Sequence, residues 1–280
     1  MRLRSPVVTG RNYGHVAVAL LIALLLALFC APRAAGAECS RAAPYREART
    51  DSSALRLVVN APAYRLDVFE HGVLTRSYGV AIGTPRYPTP RGSFTVSEVE
   101  WNPWWIPPPA EWARKDTVTP PGPANPMGRV KLYFQTFYFV HGTPAEKSIG
   151  TAASHGCVRM KNLDAIALAR LVQRHAAPHI TDADVDSLLA HYGRTRRVKL
   201  AWPVPLEIRY DLVEVRGDSL FVYRDIYRLA RGRTLAAAVS AAAAALGIEP
   251  GLIRTRPLRD AVRRSARGTA AVALSALSAP

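Results

Sequence analysis

Two short segments of the sequence contain the residue types that nucleophilic catalysis requires. The segment SHGCVRM, residues 154–160, contains Cys157, and the segment VHGTP, residues 140–144, contains His141. A thiol attacks as its thiolate, and a neighbouring imidazole raises the thiolate fraction by accepting the proton. His155 lies only two residues before Cys157, so its side chain is expected to point away from the sulfur. We therefore predict that Cys157 is a nucleophile, that His141 is its base and that His155 has a supporting role.

Glycines next to these residues give the backbone the freedom that such a site needs. Gly156 permits a tight turn and is predicted to expose the N–H groups of residues 156 and 157 to a developing oxyanion. Gly142 lets a backbone carbonyl approach the His141 ring and fix its tautomer. Each residue alone is commonplace, because a single cysteine in a β domain is most often a small buried hydrophobe. Their joint occurrence is what favours catalysis.

Strand patterns precede both segments and are expected to position them. Alternating apolar and polar residues begin at Leu55, and RVKLYFQTFYFVHG, residues 129–142, is the strongest strand pattern and places His141 at its end. Between them, residues 101–112 read WNPWWIPPPAEW, and these prolines exclude a regular ladder. This aromatic loop either seals the β core or lines a substrate site.

Two helices are predicted after the cysteine segment. The first begins near Asn162, which is expected to cap it, and its inner stripe includes Leu163 and Ile166. In the second helix, Thr181 and Asp184 have the spacing of a capping box.

The first 37 residues have the pattern of a signal peptide. Arginines precede an uncharged run at residues 16–30, and Ala35 and Ala37 give the A-x-A arrangement that signal peptidase reads. The run is shorter than the about 20 residues that a membrane span needs. We predict a cleaved signal peptide at residues 1–37, with an uncleaved N-terminal anchor as the alternative.

Export would bring the mature chain into an oxidising compartment, where cysteines can pair. Cys30 would leave with the signal peptide, and Cys39 lies in a polar segment, residues 38–54, that is predicted to be a linker. We predict that Cys157 is a free thiol and not the disulfide partner of Cys39.

The formal net charge of +16 would by itself suit a nucleic-acid partner. An exported protein meets an anionic cell envelope instead, so we expect no nucleic-acid partner. The sequence has no H-E-x-x-H, C-x-x-C, G-x-S-x-G or P-loop motif, and Pro178 interrupts the spacing between His175 and His179. We therefore expect neither a metal site nor a cofactor.

Several segments together resemble the L,D-transpeptidase catalytic domain, the YkuD family. HGT followed by IG and SHGCVRM is similar to the family's cysteine signature, and PTPRGSFTV resembles its T-P-x-G-x-F segment. The tryptophan–proline loop and the NPMG turn also resemble segments of the family. VPLEIRY and DSLFVYRDIY are similar to an extension found in envelope members from Gram-negative bacteria.

The resemblance implies a mainly β fold, a YkuD-like β-sandwich or barrel with a few helices. The catalytic domain with its C-terminal β extension would span residues 55–227. Residues 228–280, which are rich in alanine and arginine, would form a helical or disordered tail.

Carried over by position, the resemblance implies Cys157 as the nucleophile and His141 as the general base. Gly142 would supply the carbonyl that orients this base. His155 and Gly156 would complete the orienting and oxyanion-binding part of the site.

Ser154 and Arg159 occupy positions that the resemblance implies in substrate binding. Arg159 either neutralises a substrate carboxylate or braces the loop, and we favour bracing at this point. The implied reaction is transpeptidation of peptidoglycan stem peptides in the periplasm, through a cysteinyl thioester to a 3→3 cross-link. With water as the acceptor the enzyme would be a carboxypeptidase or endopeptidase, and with a protein amine it would anchor an envelope protein to peptidoglycan. A non-catalytic wall-binding protein is the remaining alternative. Carbapenems are expected inhibitors.

Overall fold

The computed structural model describes residues 54–278 and shows a mainly β protein. In chain order the strands are β1 Leu55–Asn60, β2 Arg65–Glu70, β3 Val73–Gly83, β4 Gly92–Trp101, β5 Val130–Gln135, β6 Tyr138–Thr143, β7 Ala152–Ser154, β8 Val158–Lys161, β9 Arg196–Arg209, β10 Val213–Arg216, β11 Ser219–Val222 and β12 Ala270–Ala273. The α-helices of the described residues are α1 Asn162–Ala176, α2 Asp182–Ala190, α3 Thr234–Leu246 and α4 Thr255–Ser265. The predicted mainly β fold with a few helices is confirmed.

Nine of these strands form one sheet that closes on itself like a barrel. Its order is β2-β1-β9-β4-β5-β6-β8-β3-β7, and β2 also pairs with β3, which closes the ring. Because side chains alternate along a strand, one face of the sheet carries the apolar core and the other carries polar residues. Helix α1 covers the core face, where the buried Trp101 donates its indole N–H to Gln173 Oε1 at 2.8 Å. The sheet and the helix are thereby joined at a buried point.

Helix α1 differs from the sequence prediction in both its cap and its buried face. Lys161 is at the N-cap position, while the Asn162 side chain donates to Thr143 O at 3.3 Å and accepts from Arg129 N at 3.1 Å. Leu163 is 79% exposed, so its place in the predicted inner stripe is wrong, whereas Ile166 is half-buried and packs against the core. The buried residues of α1 are Ala165, Leu168, Ala169, Leu171, Val172, Gln173 and Ala176. Asn162 is thus the first residue of the helix, and its side chain bonds to the backbone of Arg129 and Thr143 and does not cap the helix.

Helix α2 begins as the sequence predicts. Thr181 Oγ1 accepts from Asp184 N at 3.1 Å, and Asp184 Oδ2 accepts from Thr181 N at 2.8 Å. Each side chain therefore satisfies an N–H group that the first turn leaves without a helical partner. The predicted capping box is confirmed.

The C-terminal residues form a small unit with its own core. Strands β10, β11 and β12 make a separate antiparallel sheet, against which α3 and α4 pack. Its largest fully buried side chains are Leu220, Leu258 and Leu277. The expected domain boundary at residue 227 thus falls inside a packed unit, because β12 pairs with β11, which the sequence grouped with the catalytic domain. Alanine-rich β12 carries no strong strand pattern, so this pairing could not be anticipated.

Other predictions fall outside the described residues. These are the signal peptide at residues 1–37 and nearly all of the linker at residues 38–54, with Cys30 and Cys39. Among residues 54–278, none of the helices combines the length and apolar character that crossing a bilayer requires.

Asn102 fixes the start of the aromatic loop to the end of α2. It is buried with φ +47°, a conformation that asparagine tolerates better than most residues. Its Nδ2 donates to Leu188 O at 2.6 Å and to His191 O at 3.0 Å, and its Oδ1 accepts from Arg129 Nε at 2.9 Å. One side chain therefore holds three parts of the chain together.

We predict that Asn102→Ala lowers the free energy of unfolding by about 2–4 kcal/mol, because it leaves the carbonyls of Leu188 and His191 and the Nε of Arg129 without the bonds described above. Urea unfolding followed by circular dichroism measures the change. Lys115→Ala, in the same loop and exposed, is the control and should alter the free energy by less than about 0.5 kcal/mol. Equal midpoints for the two variants would contradict the assignment, and Asn102→Gly separates backbone strain from the lost hydrogen bonds.

Candidate active site

The polar face of the barrel carries one row of charged residues across five adjacent strands. In register, Glu100 on β4 pairs with Arg197 on β9 and with Lys131 on β5. Lys131 in turn pairs with His141 on β6, which pairs with Arg159 on β8. Residues paired in register point to the same face of a sheet. The imidazole of His141 therefore lies between two cations.

His141 is held in one tautomer by the backbone. Its ring Nδ1 lies 2.6 Å from Gly142 O, and since a carbonyl only accepts, Nδ1 donates and Nε2 keeps a lone pair. This is the contact that the resemblance implies. A Cβ at Gly142 would lie 2.3 Å from Asn162 Oδ1, so only glycine fits here. The site thus presents a buried imidazole whose free nitrogen can accept a proton.

Burial lowers the pKa of His141 to about 3. The neighbouring cations Arg159 and Lys131 lower this pKa further, while contacts with the backbone carbonyls of Gly142 and Met127 raise it. The imidazole is therefore neutral at physiological pH. A neutral ring is the form that a general base requires.

The turn before β8 places Cys157 at the cavity. Gly156 has φ +111°, and a Cβ there would lie 2.5 Å from the ring of Tyr138. Ser154 Oγ donates to Cys157 O at 2.6 Å and accepts from Gly156 N at 3.0 Å. The Gly156 N–H is thus directed to Ser154, which differs from the expectation that it faces an oxyanion. Ser154 braces the turn with its own hydroxyl.

Cys157 is a free, half-buried thiol. Its Sγ donates to Phe137 O at 3.7 Å. Burial raises the pKa of the thiol to about 11, although the cations Arg159 and Lys131 lower it. The expectation that an imidazole lowers this pKa is therefore wrong for the free protein. Thiol and imidazole are both neutral at rest.

His155 belongs to an aromatic stack at the rim of the cavity. Its ring lies 3.9 Å from that of Trp112 with an interplanar angle of 6°, and 4.8 Å from the ring of Tyr87. Trp105 stacks on the other side of Trp112 at 6.3 Å. The aromatic segment seals the core through Trp101, as one of the two predictions has it, and Trp105 and Trp112 line the cavity.

The predicted residues meet in one cavity of about 630 Å³. Its lining includes the five predicted residues that have side chains beyond glycine: His141, Ser154, His155, Cys157 and Arg159. Within the described residues, Arg159 Nε is the buried side-chain atom that has no hydrogen-bond partner. An unpartnered guanidinium nitrogen argues against bracing and favours contact with a ligand.

Lys131 is a lining residue that the sequence reasoning missed. Its Nζ lies 2.9 Å from Glu100 Oε2. The single strand predicted over residues 129–142 is a hairpin, because β5 and β6 pair antiparallel. The signal that could have found Lys131 is strand alternation, since Lys131 and Tyr133 share one face of β5, next to His141 on β6. Within residues 54–278, no three His, Cys, Asp or Glu side chains are grouped so that they could hold a metal ion.

The YkuD family model, described as the L,D-transpeptidase catalytic domain, matches residues 54–199, and the chain belongs to this family. It is 34% identical over 117 residues to a probable L,D-transpeptidase, ErfK/SrfK, from Salmonella typhimurium, covering 39% of this chain and 38% of that protein. It is 30% identical over 132 residues to a putative L,D-transpeptidase, YkuD, from Bacillus licheniformis, covering 47% of this chain and 68% of that protein.

Among solved structures, L,D-transpeptidase 3 from Mycobacterium tuberculosis aligns with a TM-score of 0.37 and 18% identity, over 56% of this chain and 61% of that chain. The match to the Salmonella protein spans well under half of that relative's length. The family model ends before β10, so the C-terminal unit lies outside the matched region.

We predict that iodoacetamide, a neutral thiol reagent, alkylates Cys157 slowly at neutral pH. With a thiol pKa of about 11, the rate at pH 7 should be roughly 10²-fold below that of free cysteine, whose pKa is about 8.5. The rate should rise with pH through and beyond 8.5, because the thiolate fraction rises. Arg159→Met should slow it further, since that cation lowers the thiol pKa. Peptide-resolved mass spectrometry measures the rate, and a midpoint below 8.5 would indicate a resting thiolate–imidazolium pair instead.

Proposed function

We propose that the protein is a peptidoglycan L,D-transpeptidase that forms 3→3 cross-links through a thioester on Cys157. The observation that carries the proposal is His141, whose Nδ1 is fixed by Gly142 O and whose Nε2 is available, in the same cavity as a free thiol. Family membership supports acyl transfer as the chemistry. The donor would be a stem tetrapeptide, attacked at the carbonyl of its third residue.

Acylation begins from the neutral pair. As Cys157 Sγ forms its bond to the carbonyl carbon, the thiol proton passes to His141 Nε2, and the carbonyl oxygen becomes an oxyanion. The Gly156 amide donates to Ser154 Oγ. We therefore assign the backbone N–H of Cys157, in the same turn, as the donor to this oxyanion. The carbon–nitrogen bond then breaks, and the departing D-alanine amine takes the proton from Nε2.

Deacylation repeats these steps in reverse order with a new amine. The acceptor amine attacks the thioester carbonyl and gives its proton to His141 Nε2. The carbon–sulfur bond then breaks, and the Cys157 sulfur recovers that proton. No other reactant is needed, because the thioester conserves the acyl group for transfer.

Arg159 is assigned to the carboxylate of the substrate. Its unpartnered Nε and its place in the cavity lining support this role. A carboxylate at Arg159 would also offset the cation that opposes the protonation of His141. Ser154 acts on the reaction by holding the turn that contains Cys157.

The alternatives differ in what accepts the acyl group. Water would give a carboxypeptidase or endopeptidase, and a protein amine would give an enzyme that anchors an envelope protein. Comparing muropeptides from cells with and without the gene by mass spectrometry distinguishes them, because only transpeptidation gives 3→3 dimers. We also propose that the protein acts in the periplasm, where its peptidoglycan substrate lies, and cell fractionation tests this location.

We predict that Cys157→Ala abolishes thioester formation and transpeptidation, while its thermal unfolding stays close to that of the wild type.

His141→Ala should lower turnover by about 10²- to 10⁴-fold, the range for loss of a general base. His155→Ala should have a smaller effect, because its ring packs on Trp112 at the rim. Release of D-alanine from a synthetic tetrapeptide is the measurement. A larger loss for His155→Ala than for His141→Ala would reverse the assignment of the base.

We predict that one carbapenem acylates Cys157, seen as a mass increase on the peptide that contains SHGC. If His141 takes the proton during attack, the rate should change by less than about threefold between pH 6 and pH 8, since His141 is neutral there. Iodoacetamide alkylation over the same interval should rise about 10²-fold with the thiolate fraction. Parallel pH profiles for the two reagents would exclude general-base assistance, and a folded protein with unmodified Cys157 would exclude the transpeptidase proposal.

A further inference from the structure

Lys131 lies on the side of His141 opposite Arg159, and the reaction described above does not use it. It is 7% exposed, and it lines the catalytic cavity. Its Nζ is paired with Glu100 Oε2 at 2.9 Å and donates to Trp104 O at 3.3 Å. An ammonium group has three N–H donors. Two of them have acceptors among the described residues, and the rings of Tyr133 and Phe139 lie 5.2 and 5.1 Å from Nζ. One N–H therefore has no hydrogen-bond acceptor and can donate to a ligand in the cavity.

The charge of the whole row indicates that the ligand is an anion. Glu100 lies between Arg197 and Lys131, and Arg159 follows beyond the neutral His141. Arg197 is also paired with Glu98 at 3.1 Å, so two carboxylates face three cations, and Arg159 is the cation whose Nε has no hydrogen-bond partner among the described residues. Buried charge without a partner is unfavourable, so a bound anion would stabilise the row. Of the acidic residues, Asp116 also lines the cavity, but it is exposed at the rim.

The spacing of the two cations fits two carboxylates. Neighbouring strands lie about 4.8 Å apart, so the backbones of Lys131 and Arg159 are separated by roughly 10 Å, with His141 between them. A peptide amide that lies over the imidazole would extend towards one cation on each side. Arg159 follows Cys157 by two residues and is the nearer cation along the chain, whereas Lys131 is two strands away from it.

We propose that Lys131 is a specificity-determining residue that binds a side-chain carboxylate of the acyl donor, while Arg159 binds the carboxylate of the leaving residue. This inference rests on the proposed function. It defines the donor as a peptide with two free carboxylates, one on each side of the scissile amide. Donors whose third residue has its side-chain carboxylate amidated, or lacks it, are poor ligands of this site.

The anionic donor also tunes the base. Lys131 and Arg159 both lower the pKa of His141 in the free protein, beside the larger effect of burial. Two bound carboxylates would offset both cations at the moment when His141 takes the thiol proton. The groups that face this ring are then Lys131 from β5, Arg159 and Cys157 from β8 and its preceding turn, and the substrate carboxylates.

The test compares two synthetic tetrapeptides that differ only in the side chain of the third residue, a diamino acid with either a free carboxylate or its carboxamide. Binding is measured by calorimetry on full-length Cys157→Ala protein, so that no turnover occurs. We expect the carboxylate peptide to bind about 10- to 100-fold more tightly, as a charge-assisted hydrogen bond allows. Adding Lys131→Met should reduce this preference to less than about threefold by weakening the carboxylate peptide alone.

Two further variants control for loss of structure and for general charge effects. Lys199→Met removes an exposed lysine from the same face of the barrel, where it pairs in register with Glu98, and should keep the preference. Because Lys131→Met leaves the carboxylate of Glu100 without its cation, Lys131→Met/Glu100→Gln is measured as well and should also lose the preference. Lys131→Arg, which keeps the charge, should retain most of it.

Equal affinity for the two peptides, no binding of either peptide, or a preference that survives both Lys131→Met variants would overturn the inference. Turnover is tested separately with the wild-type protein. If the carboxylate preference depends on Lys131 but no D-alanine is released from either peptide, the transpeptidase proposal fails and the carboxylate site stands.

Discussion

The register of β6 between β5 and β8 is the constraint on which the site depends. A shift by one residue would turn His141 into the core and bring Val140 to the cavity, because side chains alternate along a strand. Asn162 holds this register, since its amide donates to Thr143 O on β6. Its Oδ1 would lie 2.3 Å from a Cβ at Gly142 and 2.1 Å from one at Gly128, so the approach needs glycine on both segments. The orientation of the base thus follows from packing on the first turn of a helix.

Burial sets the resting state of the reacting pair. It lowers the pKa of His141 and raises that of Cys157, so it disfavours the charged form of both groups. In the proposed reaction, the charge separation must therefore arise together with the bond to substrate. A site of this kind is unreactive when empty and acquires its nucleophile only when a donor supplies an electrophile and compensating charge. Specificity and rate then depend on the same electrostatic balance.

Much of the site could be predicted from sequence, because its chemistry is concentrated in short segments. The thiol of Cys157 and the capping box at Thr181 follow from local residue patterns, and the structure has both. The single strand predicted over residues 129–142 is instead a hairpin of β5 and β6, and His141 lies inside β6. The fold class also followed from strand alternation and the family resemblance.

What could not be predicted depends on contacts between distant segments. Asparagine commonly caps helices, but the side-chain amide of Asn162 instead bonds to the backbone of Arg129 and of Thr143. The Gly156 amide is directed to Ser154, which no spacing rule reveals. The neutral state of the thiol and the role of Lys131 depend on burial and on strand register, and the pairing of β12 with β11 joins segments about 50 residues apart along the chain. Sequence patterns describe one element at a time, and these features belong to pairs of elements.

The aromatic loop contacts the charged row beside His141 and so affects how far these charges are exposed to solvent. It is tied to the catalytic face at two points, where Trp104 O accepts from Lys131 Nζ and where Trp112 stacks on His155. Asn102 fixes its first residues. Lys131, which this loop contacts, is 7% exposed, and charges interact more strongly where water is excluded. The ion pair of Lys131 with Glu100 therefore has two effects, because it keeps a buried cation in place and leaves one donor for the substrate. The hydrogen bond to Trp104 O orients the ammonium of Lys131. In the proposed role of Lys131, this orientation strengthens the attraction of the ammonium for the side-chain carboxylate of the donor.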